Sequence, residues 1–222
     1  MPDILRATWI PDLLTPLSRE MAQAAIHDAV GDSASPVSVA ILTAHSALET
    51  GRWKSIHRYN FGNVKCSENW VGLFTTFACN ELIAGKLQWF APEDGQWQNP
   101  PGHPQTRFRA FSSATQGAED HLNFLKRSRY AQAWGLAQAG DPIGFVHALH
   151  DAGYFTAPVG PYARGVDLLT AEYLHNLEPN PEANQCIKNC ARIELLPMWD
   201  EELLEDMRDE RDATILQEDE LS

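Results

Sequence analysis

The chain has 222 residues, 44% of them hydrophobic, and carries 30 acidic against 17 basic residues for a formal net charge of −13. That length and apolar content suit one folded core with a small lobe or tail attached and exclude a disordered chain. No basic stripe is available to neutralise phosphates, which argues against nucleic acid as a partner, and no apolar run is long enough to span a bilayer.

The first ten residues, MPDILRATWI, have neither a basic n-region nor a long apolar h-region, so no standard secretory signal is expected there. Residues 18–30 read as an amphipathic helix with Met21, Ala25 and Ile26 inward. A second helix is predicted over 36–50. Ser35 suits its N-cap and Pro36 its first position, and the run Val37–Leu48 is almost wholly apolar. Gly51 then suits the left-handed turn that follows a helix. Glu49 closes the run at the negative end of the helix dipole, near Trp53, where dipole and desolvation both disfavour its charged form. A carboxyl held partly protonated near neutral pH is what a general acid requires. The alternative is a Glu that snorkels at a helix end.

A β-like zone follows over 61–65, 70–80, 87–90 and 107–111, with a turn at Ala84-Gly85. Residues 91–106 hold four Pro and two Gly and read as a long irregular loop of the kind found beside binding clefts. Ser113 with Gln116 resembles a capping box, and Ala114, Ala118, Leu122 and Leu125 repeat at helical spacing. Tyr130–Ala139 makes another helix ending at Gly140. Asp141-Pro142 starts a third, with Phe145, Leu149 and Ala152 on one face and Gly153 after its end. A fourth spans 161–177. Helices, a small sheet, then helices reads as α+β with segregated strands.

Glu178-Pro-Asn-Pro-Glu182 reads as a linker break, dividing a domain over 1–178 from an acidic extension over 179–222. From Met198 to Ser222 there are eleven acids against two Arg, a net of −9, leaving −4 for the rest. The extension, with Trp199, Leu203, Leu204, Met207 and Ile215, is read as a solvated tail or peripheral helix, or else as a docking element for a basic partner. Cys66, Cys79, Cys186 and Cys190 match no common zinc spacing. Cys66 and Cys79 flank an alternating stretch and either bridge a hairpin in an oxidising compartment or stay as buried thiols. His147, His150 and Asp151 lack the His-Glu-x-x-His arrangement. Neither metal nor cofactor is expected.

Three segments together resemble one family. Ala44-His-Ser-Ala-Leu-Glu-Thr-Gly51, Tyr59-Asn-Phe-Gly-Asn-Val-Lys65, and Arg107-Phe-Arg-Ala-Phe111 followed by Ala152-Gly-Tyr-Phe-Thr-Ala-Pro158 and Tyr162-Ala163 are similar, in order, to the motifs of bacterial glucosaminidases of glycoside hydrolase family 73. The resemblance runs from about residue 35 to 177. It departs at Asn63, which replaces an apolar residue, at Ala157, which replaces an Asp, and at the additional Val159 and Gly160. It implies a mostly helical lysozyme-like domain with a small antiparallel β-lobe, and a peptidoglycan hydrolase acting as an endo-β-N-acetylglucosaminidase.

On that resemblance Glu49 is the general acid, Glu81 the second carboxylate and Tyr154 a catalytic tyrosine. Glu68 is the alternative to Glu81, and a substrate acetamido group would dispense with both. Asn60, Phe61 and Tyr162 are expected at the substrate, Phe61 as packing beneath the cleft, and Trp53, Trp70 and Trp97 are candidate sugar-stacking rings. Rival readings are a muramidase, a lytic transglycosylase, or a non-catalytic wall-binding module. Peptidoglycan is the expected partner. The enzyme would be made in the cytoplasm and act at the wall after lysis or injection, as an endolysin, a tail-associated lysin or an effector with an immunity protein.

Overall fold

The computed structural model describes residues 7–83, 86–92, 102–155 and 158–195. Its helices are α1 (Arg19–Val30), α2 (Pro36–Glu49), α3 (Ala114–Leu125), α4 (Ala131–Ala139), α5 (Pro142–Asp151), α6 (Val159–Leu174) and α7 (Pro181–Leu195). Five of them begin where a short polar side chain takes an orphan amide, α7 at Asn180. Ser18 accepts from Met21 N, Ser35 from Ser38 N, Ser113 from Gln116 N and Asp141 from Gly144 N. Gly140 ends α4 in the left-handed conformation.

The strands are β1 (Thr8–Trp9), β2 (Leu73–Thr76), β3 (Cys79–Ile83), β4 (Lys86–Phe90) and β5 (Arg107–Arg109). β1 pairs parallel with β2, and β2 pairs antiparallel with β5. β3 and β4 form a separate antiparallel hairpin. The fold is α+β and mostly helical, with α2 in the middle: ten of its residues are buried, and Ile41, Leu42, Ala44 and Ala47 are wholly so. Among the described residues no helix is long and apolar enough to cross a membrane.

Several expectations are corrected. Met21 is exposed, because the buried stripe of α1 runs through Ala22, Ala25 and Ile26 at helical spacing. Residues 61–65 are not a strand. The Asn60 side chain takes backbone partners at both ends, and Asn63 is left-handed, so the segment turns and only Lys65 bridges β5. The run over 70–80 splits between two sheets, and α6 starts at Val159. The linker break at 178–182 is in fact a helix start. Asn180 accepts from Glu182 N at 2.8 Å, Pro181 opens α7, and Ala183 and Ile187 join the core. The folded unit therefore continues past 178. The apolar residues from Trp199 onward lie outside the described residues.

Candidate active site

Glu49 is the last residue of α2, and its side chain is only 8% exposed. Tyr162 of α6 donates its hydroxyl to Oε1 in a short hydrogen bond. His45, one turn earlier on α2, holds Nε2 3.6 Å from the same oxygen. Asn63 donates Nδ2 to the Glu49 backbone oxygen at 2.5 Å, capping a carbonyl that the helix end leaves unpaired. Burial pushes the carboxyl from 4.5 up to about 7, and the tyrosine hydroxyl only partly offsets this. A carboxyl poised there can give a proton at neutral pH and hold the resulting charge against a preset donor.

The chain leaves Glu49 through three successive left-handed residues, Gly51, Arg52 and Trp53, with φ of 58°, 55° and 59°. Two anchors hold this conformation against its steric cost. Trp53 is buried and donates Nε1 to Ser46 Oγ at 3.1 Å. The Arg52 guanidinium meets both oxygens of the buried Glu172 at 2.5 and 2.8 Å and donates to Asn184 of α7. The N-terminal segment closes the other side, with Thr15 N on Ile56 O at 2.9 Å and Arg58 N on Leu13 O at 2.9 Å.

The expected site residues separate into two groups. Tyr162 meets the acid directly, whereas Tyr154 donates to Gly62 O at 3.2 Å and lays its ring against His45. Asn60 is 1% exposed and spends its side chain on Val64 and Arg109 backbone atoms, so it is a turn former and not a sugar ligand. Phe61 is wholly buried, as core beneath the segment. Trp53 cannot stack on a sugar because it is inside the protein. Trp70 is half-buried, with one face covered by the Arg109 guanidinium at 4.4 Å and Nε1 bonded to Leu73 O. Trp97 lies outside the described residues, as do Thr156 and Ala157.

Glu81 stands on β3 and is held by Lys65 Nζ, which also donates to Gln105 at 2.8 Å. Glu68 is exposed in a turn. Cys66 and Cys79 are not joined in a disulfide, and the Cys79 thiol donates to Gln105 O at 3.3 Å. Cys66 pairs through its amide with one edge of β5, while β2, leading into Cys79, pairs with the other. Burial pushes the Cys66 thiol up to about 12.

Sequence reasoning placed Tyr162 at the substrate but did not find the other neighbours of the acid. His45 stands four positions before Glu49, a spacing that puts both on one helix face, and this was the available signal. His121, in contact with His45, and the Arg52–Glu172 pair, 120 positions apart, gave none.

Residues 31–175 match the family model of the glucosaminidases, described as mannosyl-glycoprotein endo-beta-N-acetylglucosaminidase. The chain is 32% identical over 133 residues to peptidoglycan hydrolase FlgJ of Pseudomonas aeruginosa, covering 56% of this chain and 29% of that protein. It is 27% identical over 129 residues to FlgJ of Vibrio cholerae, covering 55% and 34%. The chain thus spans about a third of the length of the curated relatives it matches. In fold it is similar to a peptidoglycan hydrolase mutant from Sphingomonas sp. A1, with a TM-score of 0.50 and 23% identity over 77% of this chain and 96% of the other. That likeness is one of fold, a helical domain with a small β-lobe. With more than half of its residues inside the family match, this chain belongs to the glucosaminidase family of glycoside hydrolases.

Proposed function

We propose that the protein cleaves the glycan strand of peptidoglycan on the reducing side of N-acetylglucosamine, with Glu49 as general acid. The observation that carries this reading is the Glu49 carboxyl itself, buried, raised to about 7 and already hydrogen-bonded by Tyr162. Family membership and the names of the FlgJ relatives support the substrate class. In the reaction Glu49 protonates the glycosidic oxygen as the bond to the anomeric carbon breaks. The carboxylate left behind accepts from the Tyr162 hydroxyl, which strengthens as charge develops. The same carboxylate then takes a proton from the attacking water.

Glu81 is our candidate for stabilising the oxocarbenium-like state, delivered by the β3–β4 hairpin and steered by Lys65. A substrate acetamido group is the alternative. The site of action is then the cell wall, and a phage-tail, secretion-apparatus or immunity protein is the partner class to seek. The test is mass analysis of products from purified sacculi. New reducing-end N-acetylglucosamine is expected from the wild type and none from Glu49→Gln. Reducing-end muramic acid or anhydro-muramic ends would reassign the bond. Unchanged release by Glu49→Gln would remove the acid from its role.

A further inference from the structure

Behind Glu49 lies a buried pair of histidines that the proposed reaction does not use. His45 of α2 and His121 of α3 are 0% and 1% exposed. Their rings stack 5.3 Å apart, with His45 Nδ1 3.4 Å from His121 Nε2. The outer nitrogens, His45 Nε2 and His121 Nδ1, have no hydrogen-bond partner among the described residues. The first points toward Glu49 Oε1 at 3.6 Å. The second lies against Gly62, where a Cβ would come within 2.3 Å of it. Two unpaired buried nitrogens cost stability that apolar side chains of the same shape would not.

We propose that His45 and His121 are positioning residues for Glu49, a buried imidazole pair that backs the carboxyl while withholding a counter-charge from it. The titratable groups facing the pair are Glu49 on α2 itself, Tyr154 after α5 and Tyr162 on α6, with Phe145 of α5 against the His45 edge. Burial first, and the neighbouring imidazole second, hold His45 well below its usual 6.5, and burial takes His121 down to about 4. At neutral pH the pair is therefore uncharged. An imidazolium 3.6 Å from Glu49 would instead draw its carboxyl down by about one to three pH units and leave it ionised where an acid is needed.

The inference rests on Glu49 being the acid of the proposed function, and its test needs no substrate. In the wild type, NMR titration should show His45 neutral from pH 5.5 to 8 while the Glu49 carboxyl titrates near 7. His121→Asn removes the neighbouring imidazole, the second cause, and leaves the first, so His45 should rise from its lowered value while burial still holds it below 6.5. Glu49 should fall in proportion to the fraction of His45 that becomes charged, and in the hydrolysis assay the alkaline limb should move down with it. The double variant His45→Gln, His121→Asn should return Glu49 to near 7. Protonated His45 in the wild type at pH 6 overturns the proposal, whether or not a variant folds. So does an unmoved Glu49 in His121→Asn, or an equal fall in the double variant. Failure of hydrolysis with the expected titrations would count against the proposed function and leave the pair's role standing.

Discussion

Replacing Glu49 with Gln should stabilise the protein, and the gain should depend on pH. In the folded chain the carboxyl titrates at about 7 against an ordinary 4.5. Between these values the native state binds the proton that the unfolded chain releases, so the wild type loses stability as pH rises through that window. The gap, at about 1.4 kcal/mol per pH unit, amounts to about 3 kcal/mol above pH 7. Below 4.5 the carboxyl is protonated in both states and the penalty vanishes. Gln carries no charge and keeps an acceptor for the Tyr162 hydroxyl. The variant should therefore exceed the wild type by about 3 kcal/mol at pH 8 and by under about 1 kcal/mol at pH 5. For a chain of this length the pH 8 difference corresponds to a Tm increase of roughly 6–12 °C. Thermal and denaturant unfolding of both proteins at the two pH values provide the measurement. An equal effect at both, or a loss at pH 8, would mean that burial does not raise the acid.

Tyr162→Phe removes the donor that restrains Glu49, so the carboxyl should rise further and the alkaline limb of hydrolysis should move up by about one to two pH units, with lower kcat. An unmoved limb would detach Tyr162 from the acid. Arg52→Met leaves Glu172 buried without a counter-charge and should cost about 3–5 kcal/mol in denaturant unfolding; a loss under about 1 kcal/mol would show the pair to be as weak as an exposed one. Gly117→Ala places a Cβ 1.8 Å from Tyr59 O and should cost about 1–3 kcal/mol or more. Gly135→Ala meets nothing within 4 Å in the interior of α4 and should gain up to about 1 kcal/mol. Comparable Tm values for the two alanine variants would refute the packing described around Tyr59.

The parts of the fold legible in the sequence are those governed by neighbours along the chain. Ser18, Ser35, Ser113 and Asp141 marked helix starts because a cap is made within three residues. Glu49 was legible as an unusual acid because its helix is almost wholly apolar and ends where it stands. Its immediate surroundings were not. Trp53 follows the acid in sequence, but the left-handed turn carries its ring back to Ser46, and Tyr162 arrives from 113 residues away. Asn60 has the side chain of a sugar ligand and spends it on the backbone, which only the folded turn reveals. The start of α7 was written in Asn180-Pro181 but read as a break, since the same two residue types serve loops and helix starts alike.

The left-handed run Gly51–Trp53 also has a consequence for the order in which the enzyme is made. Arg52 and Trp53 each hold a conformation that costs an L-residue about 1–2 kcal/mol, so the turn does not persist without its anchors. One of these is Glu172, 120 positions onward, and Tyr173 packs beside the Trp53 ring with centroids 5.8 Å apart. Closing so long a span comes late in folding. A nascent chain halted anywhere before α6 would carry the whole helix of Glu49 and none of the means to set the turn behind it, so the carboxyl takes its place only once Glu172 and Tyr173 have emerged.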